Sequence, residues 1–196
     1  MIQLSPQVFL YDVGSDAPTP SGNAVLLAQI PSRAFGDGSH PTTRLCAGAV
    51  DFLCRRTHGI RVLDVGTGTG VLARIARVRG ARLVRGTDID SEALASACAN
   101  SALDQSENEI IFTSDPPHRW GAYFDLVAAN ILEEPLRKLG PELFAALAPG
   151  GILLLSGFTP FQIPMLRTRF EELGLSYVSD SGLEGWALLM FKKSGH

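Results

Sequence analysis

Arg61-Val62-Leu63-Asp64-Val65-Gly66-Thr67-Gly68-Thr69-Gly70 decides the architecture. Its first five residues are short, apolar and β-branched enough for a buried parallel strand. Glycines then occupy every second position, and Val71, Leu72, Ile75 and Ala76 open a helical spacing at once. Strand, glycine turn and helix N-terminus form the unit with which α/β proteins hold a nucleotide-like ligand. Glycine lets the backbone turn tightly and approach a ligand with no Cβ in the way. A second strand, Arg82 to Thr87, runs into Asp88, 22 residues after Gly66. A carboxylate at that distance accepts hydrogen bonds from both hydroxyls of a ribose.

The spacing of the glycines narrows the ligand. Dinucleotide folds use G-x-G-x-x-G, with a pyrophosphate at the helix end. This chain reads G-x-G-x-G behind Asp64, which resembles motif I of the class I S-adenosylmethionine-dependent methyltransferases. In that resemblance Asp64 suits the amine of the methionine tail, and the turn at Gly66, Gly68 and Gly70 suits its carboxylate. Asp88, with Ile89 beside it, suits the ribose. The competing readings are a plain βα turn and a nicotinamide site, which the glycine spacing disfavours.

Working outward, helical and strand patterns alternate. Leu45 to Leu53 is helical, Ser91 to Leu103 is a helix with Ser91 as N-cap, and Glu109 to Thr113 is a third strand. Phe124 to Ala129 is a fourth strand, and a helix from Glu133 to Leu147 stops at Pro149-Gly150-Gly151. Ile152 to Ser156, a helix from Pro164 to Leu173, and strands Tyr177 to Ser179 and Trp186 to Phe191 complete the pattern. Alternation of this kind predicts an α/β fold, a doubly wound, mostly parallel sheet closed by an antiparallel C-terminal strand. The methyltransferase class implies seven strands in a Rossmann-like order. Residues 1–30, with Pro6, Gly14, Pro18, Pro20 and Gly22, read as an extension of loops and short strands, and 31–196 as the ligand-binding domain. Ligands in such sheets sit beyond the C-terminal strand ends, where Gly66, Asp88, Asp115 and Asn130 fall.

The chain carries 45% hydrophobic and 19% charged residues, the balance of a soluble globular protein. No apolar run reaches the roughly 18 residues of a membrane span, and Met1 to Tyr11 lacks a basic secretory start, so a cytoplasmic protein is expected. Cys46, Cys54 and Cys98 have no metal-ligand spacing and read as buried reduced thiols, with no metal site expected. From Arg33 to Arg85 there are ten arginines and three acids, a local +7 against −10 elsewhere. Without interleaved aromatics this reads as a solvated face rather than a nucleic-acid surface. A monomer is the default expectation.

Asp115-Pro116-Pro117-His118 is similar to the Asp-Pro-Pro-aromatic box of DNA amino-methyltransferases, but it follows the third strand instead of the fourth, so it reads as a rigid loop. Motif III of the methyltransferase class still places Asp115 near an adenine. A more specific resemblance lies in Ala34-Phe35-Gly36-Asp37-Gly38-Ser39-His40-Pro41-Thr42-Thr43, which resembles the A-F-G-T-G-T-H-P-T-T box of the PrmA family of ribosomal protein methyltransferases. The agreement continues through Asp88-Ile89-Asp90, Ala129-Asn130-Ile131-Leu132, Leu155-Ser156-Gly157 and Glu184-Gly185-Trp186. Asp37 and Ser39 replace the usual threonines.

Carried over by position, the resemblance implies contacts to S-adenosylmethionine from Thr43, Gly66, Asp88 and Asn130. It implies methylation of amino groups on a protein, possible ribosomal partners included. PrmA enzymes also carry an N-terminal domain that presents the substrate. Only about 22 residues precede the matched stretch here, too few to build it, so a small-molecule amine or a non-catalytic binding module are the alternative readings. The box itself reads as a loop before a helix near Pro41, with Phe35 shielding the sulfonium. His40 is either a base or a structural hydrogen-bonder, and Trp186 either edges the pocket or fills the last hairpin. Asn130 is the candidate catalytic residue, its amide oxygen accepting from the incoming amine between Ile131 and Leu132.

Overall fold

The computed structural model describes residues 1–15, 19, 22–104 and 110–195. The expectations for Pro18, Pro20 and Glu109 lie outside the described residues. Ile2–Ser5 (β1), Val8–Asp12 (β2) and Val25–Gln29 (β3) form a small sheet, with β2 paired antiparallel to β1 and parallel to β3. Leu4, Val8, Leu10 and Leu27 of this sheet share one apolar cluster with Cys46, Ala47 and Val50 of the helix Pro41–Arg56 (α1). Asp51 of α1 ties the two together. It accepts from Ser5 Oγ at 2.9 Å and from Arg79 Nε at 2.6 Å.

The main sheet has seven strands. They are Arg61–Val65 (β4), Leu83–Thr87 (β5), Ile111–Thr113 (β6), Phe124–Asn130 (β7), Leu147–Phe158 (β8), Leu175–Leu183 (β9) and Trp186–Lys193 (β10). Their order is β6-β5-β4-β7-β8-β10-β9, and β10 alone runs against the others. The expected doubly wound sheet is therefore present, with its antiparallel strand inserted between β8 and β9. Helices Val71–Val78 (α2), Ser91–Ser101 (α3), Glu133–Ala146 (α4) and Ile163–Glu172 (α5) supply the crossovers.

Alternation along the strands sorts the core into two layers. Val62, Leu126, Ala128 and Leu154 face α1 and α2, whereas Leu63, Val65, Val127, Leu153 and Leu155 face α4 and α5. The period of two sends Asp64, Asn130 and Ser156 to the α1 side, because Asp64 pairs with Ala128 and Asn130 with Ser156.

Several local expectations change. The cap of α3 is Asp90, whose carboxylate accepts from Glu92 N at 2.9 Å, and Ser91 is the first helical residue. Helix α4 ends at Ala146, so Pro149-Gly150-Gly151 lies inside β8 instead of stopping the helix. The buried side chain of Leu147 already starts the strand, and Gly151 fits a crowded bend where a Cβ would stand 2.9 Å from Ala148 O. Cys46 and Cys54 are buried, and burial pushes both thiols up to about 12, but Cys98 is exposed.

The arginine-rich stretch is not a simple solvated face. Arg74 is 1% exposed and bonds Asp104 and Ala28 O. Arg77 is buried on Ala81 O, Arg79 holds Asp51, and Arg61 forks onto Asp125. These four guanidiniums tie elements together, while Arg33, Arg55, Arg56 and Arg82 stay exposed. Among the described residues no helix is long and apolar enough to cross a membrane, and no cluster of His, Cys, Asp and Glu could hold a metal ion.

Candidate functional site

The ends of β4 and β5 are locked by the glycine turn. Gly66 N and Thr67 N both donate to Thr87 O, at 2.8 and 3.0 Å, and Gly68 N donates to Asp88 Oδ2 at 3.0 Å. Asp90 N donates to the other oxygen, Asp88 Oδ1, at 3.1 Å. Both carboxylate oxygens are thus oriented, and each keeps lone-pair capacity for a further donor. Gly66 and Gly68 have φ of +70° and +55°, which side chains rarely adopt. Space forbids a side chain as well, because a Cβ on Gly68 would stand 2.1 Å from Phe35 O. That carbonyl accepts from Thr69 N at 2.9 Å, and Thr69 Oγ1 donates to Gly36 O at 2.8 Å. The loop before α1 is therefore stitched to the glycine turn.

A cavity of about 600 Å3 opens at these strand ends. Of the expected site residues, Phe35, Gly66, Gly68, Asp88, Ile89, Asp115 and Asn130 line it, as do Ile131 and Leu132. Asp115 is placed by Thr87 Oγ1, which donates to its carbonyl at 2.6 Å. Thr43, Asp64 and Gly70 do not line the cavity. Thr42 lines it instead of Thr43, since successive helical residues point about 100° apart. Thr43 turns inward and leaves its hydroxyl buried without a partner among the described residues. Asp64 sits behind the wall, where its Oδ2 accepts from Thr67 Oγ1 at 2.7 Å and Ala73 N at 3.2 Å. Gly70 begins α2 at φ +80° against Ala97 and Phe112, a packing role.

Some of the wall was not foreseen. Gly157 belongs to it, and its only sequence signal is its place in the Leu155-Ser156-Gly157 match. Pro135, Leu139 and Glu142 reach it from α4 with no motif to mark them. Pro116 and Pro117 line it too, so the rigid loop is part of the wall.

The family model described as "Ribosomal protein L11 methyltransferase (PrmA)" matches residues 2–194. The chain belongs to the PrmA family. It is 43% identical over 180 residues to ribosomal protein L11 methyltransferase of Geobacter sulfurreducens, covering 91% of this chain and 58% of that protein. With the enzyme of the same name from Ralstonia pickettii it shares 38% identity over 186 residues, 94% of this chain and 57% of that one. The chain thus spans less than three-fifths of the length of these relatives. A solved ribosomal protein L11 methylase from Lactobacillus delbrueckii subsp. bulgaricus superimposes with a TM-score of 0.86 at 28% identity, over 98% of both chains. The N-methyltransferase NodS of Bradyrhizobium japonicum, solved with S-adenosyl-L-homocysteine, shares the fold at a TM-score of 0.62 and 16% identity.

In this PrmA box, the two departures work as a pair. Asp37 Oδ1 accepts from Ser39 N at 3.0 Å and from Ser39 Oγ at 2.7 Å, shaping the turn ahead of α1. His40 then caps the helix. Its Nδ1 accepts from Thr42 N at 3.3 Å and lies 2.8 Å from Thr42 Oγ1. This engages one ring nitrogen as the helix cap, while the other is not used by the cap and His40 is among the residues that line the cavity. Its ring stacks edge-on to Trp186 at 4.5 Å and tilts against Phe35 at 5.2 Å. Arg44 bonds Glu184 at 2.8 Å beside this contact. Trp186 does not line the cavity but braces the loop that does.

Asp64 is the one strongly perturbed acid behind the wall. Burial raises its carboxyl from the usual carboxylate range to about 6, opposed by its bonds from Thr67 and Ala73 and aided by the charge of Asp88. The folded protein therefore holds a proton here that the unfolded chain releases nearer pH 4, so this group's contribution to stability falls as pH rises from about 4 to about 6. The difference is of order 3 kcal/mol. Asp64→Asn keeps an acceptor for Thr67 and Ala73 without the charge. In urea melts between pH 4 and 7, wild type is expected to lose about 3 kcal/mol relative to the variant. Parallel pH profiles of the two proteins would contradict this.

Proposed function

We propose that this chain is an S-adenosylmethionine-dependent methyltransferase that modifies amino groups of a ribosomal protein in the cytoplasm. One observation carries the reading: the carboxylate of Asp88, held by two backbone N–H groups, shares a cavity with an Asn130 amide oxygen that has no partner among the described residues. Buried polar atoms are rarely left unpaired, and this one belongs to a residue that lines the cavity.

The residues present suit the cofactor. Asp88 has acceptor capacity for two ribose hydroxyls. Gly66 and Gly68 leave a side-chain-free surface for the methionine tail, since a Cβ on Gly66 would stand 2.2 Å from Ile131 Cγ2. Ile89, fully exposed at the rim, and Leu132 offer apolar faces to an adenine, with Asp115 as acceptor for its exocyclic amine. Thr43, Asp64 and Gly70 support this cradle from behind. When bound, S-adenosylmethionine supplies a methyl group already activated by its sulfonium.

The protein's task is then positioning and exclusion of water. Phe35 and Ile131 wall the cavity, and the His40–Trp186 contact fixes the loop that carries Phe35. An amine must present a free lone pair, and a lysine in water holds its proton to about pH 10.4. Entry into this apolar wall lowers that value, because a desolvated ammonium is disfavoured. Asn130 Oδ1 accepts one N–H and so turns the lone pair toward the methyl group.

Asn130→Ala tests that role. Transfer of tritiated methyl groups to purified ribosomal protein L11 is expected to fall about 100-fold in kcat, with the affinity for S-adenosylhomocysteine changed less than about tenfold. Equal losses in affinity and turnover would make Asn130 a binding residue only.

A further inference from the structure

Among the described residues, Glu184 is the one residue other than glycine with a positive φ, +50°. It stands in the turn between β9 and β10. Leu183 pairs with Trp186, so Glu184 and Gly185 alone make that turn, and Gly185 has φ +81°. A two-residue hairpin turn with both central residues in the left-handed region is type I′, which favours Asn-Gly, Asp-Gly or Gly-Gly. Glutamate lacks the freedom of glycine, and its side chain is too long for the local hydrogen bond that lets asparagine tolerate this backbone. The turn therefore carries strain that a commoner turn residue would remove.

The side chain of Glu184 has a use that the commoner residues would not meet. Its Oε2 accepts from Arg44 Nη2 at 2.8 Å, across 140 residues of chain. Arg44 lies one helical turn after His40, and Arg44 N donates to His40 O at 3.4 Å. Trp186, two residues after Glu184, meets the His40 ring at 4.5 Å. Two neighbouring points at the start of α1 are thus joined to two neighbouring points on one hairpin tip. His40 lines the cavity, and its ring tilts against that of Phe35, which lines it too. The Arg44–Glu184 pair is partly exposed, so it adds little to stability. Its effect is geometric, because it fixes where Trp186 stands against the His40 ring. Backbone strain persists where the surroundings over-determine it, and here the surroundings are a tie to the cavity loop.

We infer that Glu184 is a positioning residue for methyl transfer: through Arg44 it sets the hairpin tip so that Trp186 holds His40 and Phe35 in place on the cavity wall. Glu184 itself does not line the cavity. The inference rests on the methyltransferase reading above and adds a residue that acts from outside the wall. The backbone and the side chain of Glu184 are at odds, which gives the inference a sign. Glu184→Asn relieves the turn and breaks the tie, so turnover falls while stability holds or rises. A residue that only supports the fold moves both downward.

The test compares wild type, Glu184→Asn, Arg44→Gln and the double variant in the full chain, with ribosomal protein L11 as acceptor. The set is repeated in a Trp120→Phe background, which leaves Trp186 as the single tryptophan and its emission as a report on the His40 contact. Glu184→Asn is expected to melt at or above wild type, with kcat lowered about 5–10-fold, KM for L11 unchanged and Trp186 emission shifted. The double variant should be no slower than the slower single one, because both substitutions break the same tie. Unchanged kcat in Glu184→Asn, with wild type methylating L11, overturns the inference and leaves the methyltransferase reading standing. A fall in kcat matched by a fall in Tm also overturns it, as do losses that multiply in the double variant. Wild type that labels no L11 overturns the methyltransferase reading instead. The tie is then judged by Trp186 emission, which a broken tie shifts and an idle one leaves unchanged.

Discussion

Asp88→Ala is expected to abolish binding of S-adenosylhomocysteine, with a rise in Kd of 100-fold or more. The carboxylate works twice in this structure. It orders the glycine turn through Gly68 N and the start of α3 through Asp90 N, and under the proposed function its remaining lone pairs accept from a ribose. Hydrogen bonds to a charged group contribute about 1.5–3 kcal/mol each, so losing two amounts to roughly 3–6 kcal/mol. Calorimetry gives the affinity directly. A second readout is thermal: wild type should melt higher in saturating ligand, because a ligand that binds only the folded state stabilises it, and Asp88→Ala should not. Asp88→Asn separates the two jobs, since an amide can still accept from one backbone N–H but places a donor where the second acceptor was. It should bind weakly and melt between wild type and Asp88→Ala, because one of the two backbone N–H groups then meets the amide's donor. Retention of wild-type affinity in Asp88→Ala would remove the ribose site from the reading.

Gly157→Ala should be the most damaging single methyl group that can be added to the cavity wall. Gly157 has φ +101°, and a Cβ there would stand 2.1 Å from Ile131 O and 2.6 Å from its carbonyl carbon. Neither contact can be relieved by rotating a side chain, because both atoms are backbone. The ends of β7 and β8 would have to part, and with them the Asn130–Ser156 pairing that aims the amide oxygen. A loss of at least about 3 kcal/mol is expected from strain and overlap together. For a chain of this size that corresponds to roughly 6–12 °C in Tm. Gly150→Ala is the comparison: it shares the left-handed backbone, φ +77°, but a Cβ there meets nothing within 4 Å. It should lose only about 1 kcal/mol and keep full activity. Similar melting of the two variants would mean that overlap with Ile131 contributes nothing.

These residues differ in how visible they are from the chain alone. Asp88 is legible, because a carboxylate at the end of the second strand has few other reasons to sit a fixed distance after a glycine turn. The glycines are legible as a group, yet they divide in space: Gly66 and Gly68 touch the cavity, and Gly70 serves helix packing. Thr42 and Thr43 are indistinguishable in a motif and opposite in the fold, since one step along a helix is the difference between cavity and core. Asp64 reads as a ligand contact from its neighbours in sequence, but the pleat of β4 turns it toward α1 and behind the wall. Arg61, Arg74 and Arg79 read as surface, and only their partners Asp125, Asp104 and Asp51, distant in sequence, show that they are ties.

The order of strands and helices along the chain and the membership of the PrmA family follow from local patterns: periodicity of apolar residues, glycine spacing and short motifs. Such patterns act through neighbours in the chain, so the chain is enough to read them. Which members of a motif face the cavity, the contribution of α4 to its wall, the His40–Trp186 brace and the Arg44–Glu184 tie are tertiary facts. They depend on how the strand pleat, the helix rotation and the crossovers bring distant residues together, and no linear spacing encodes that rotation.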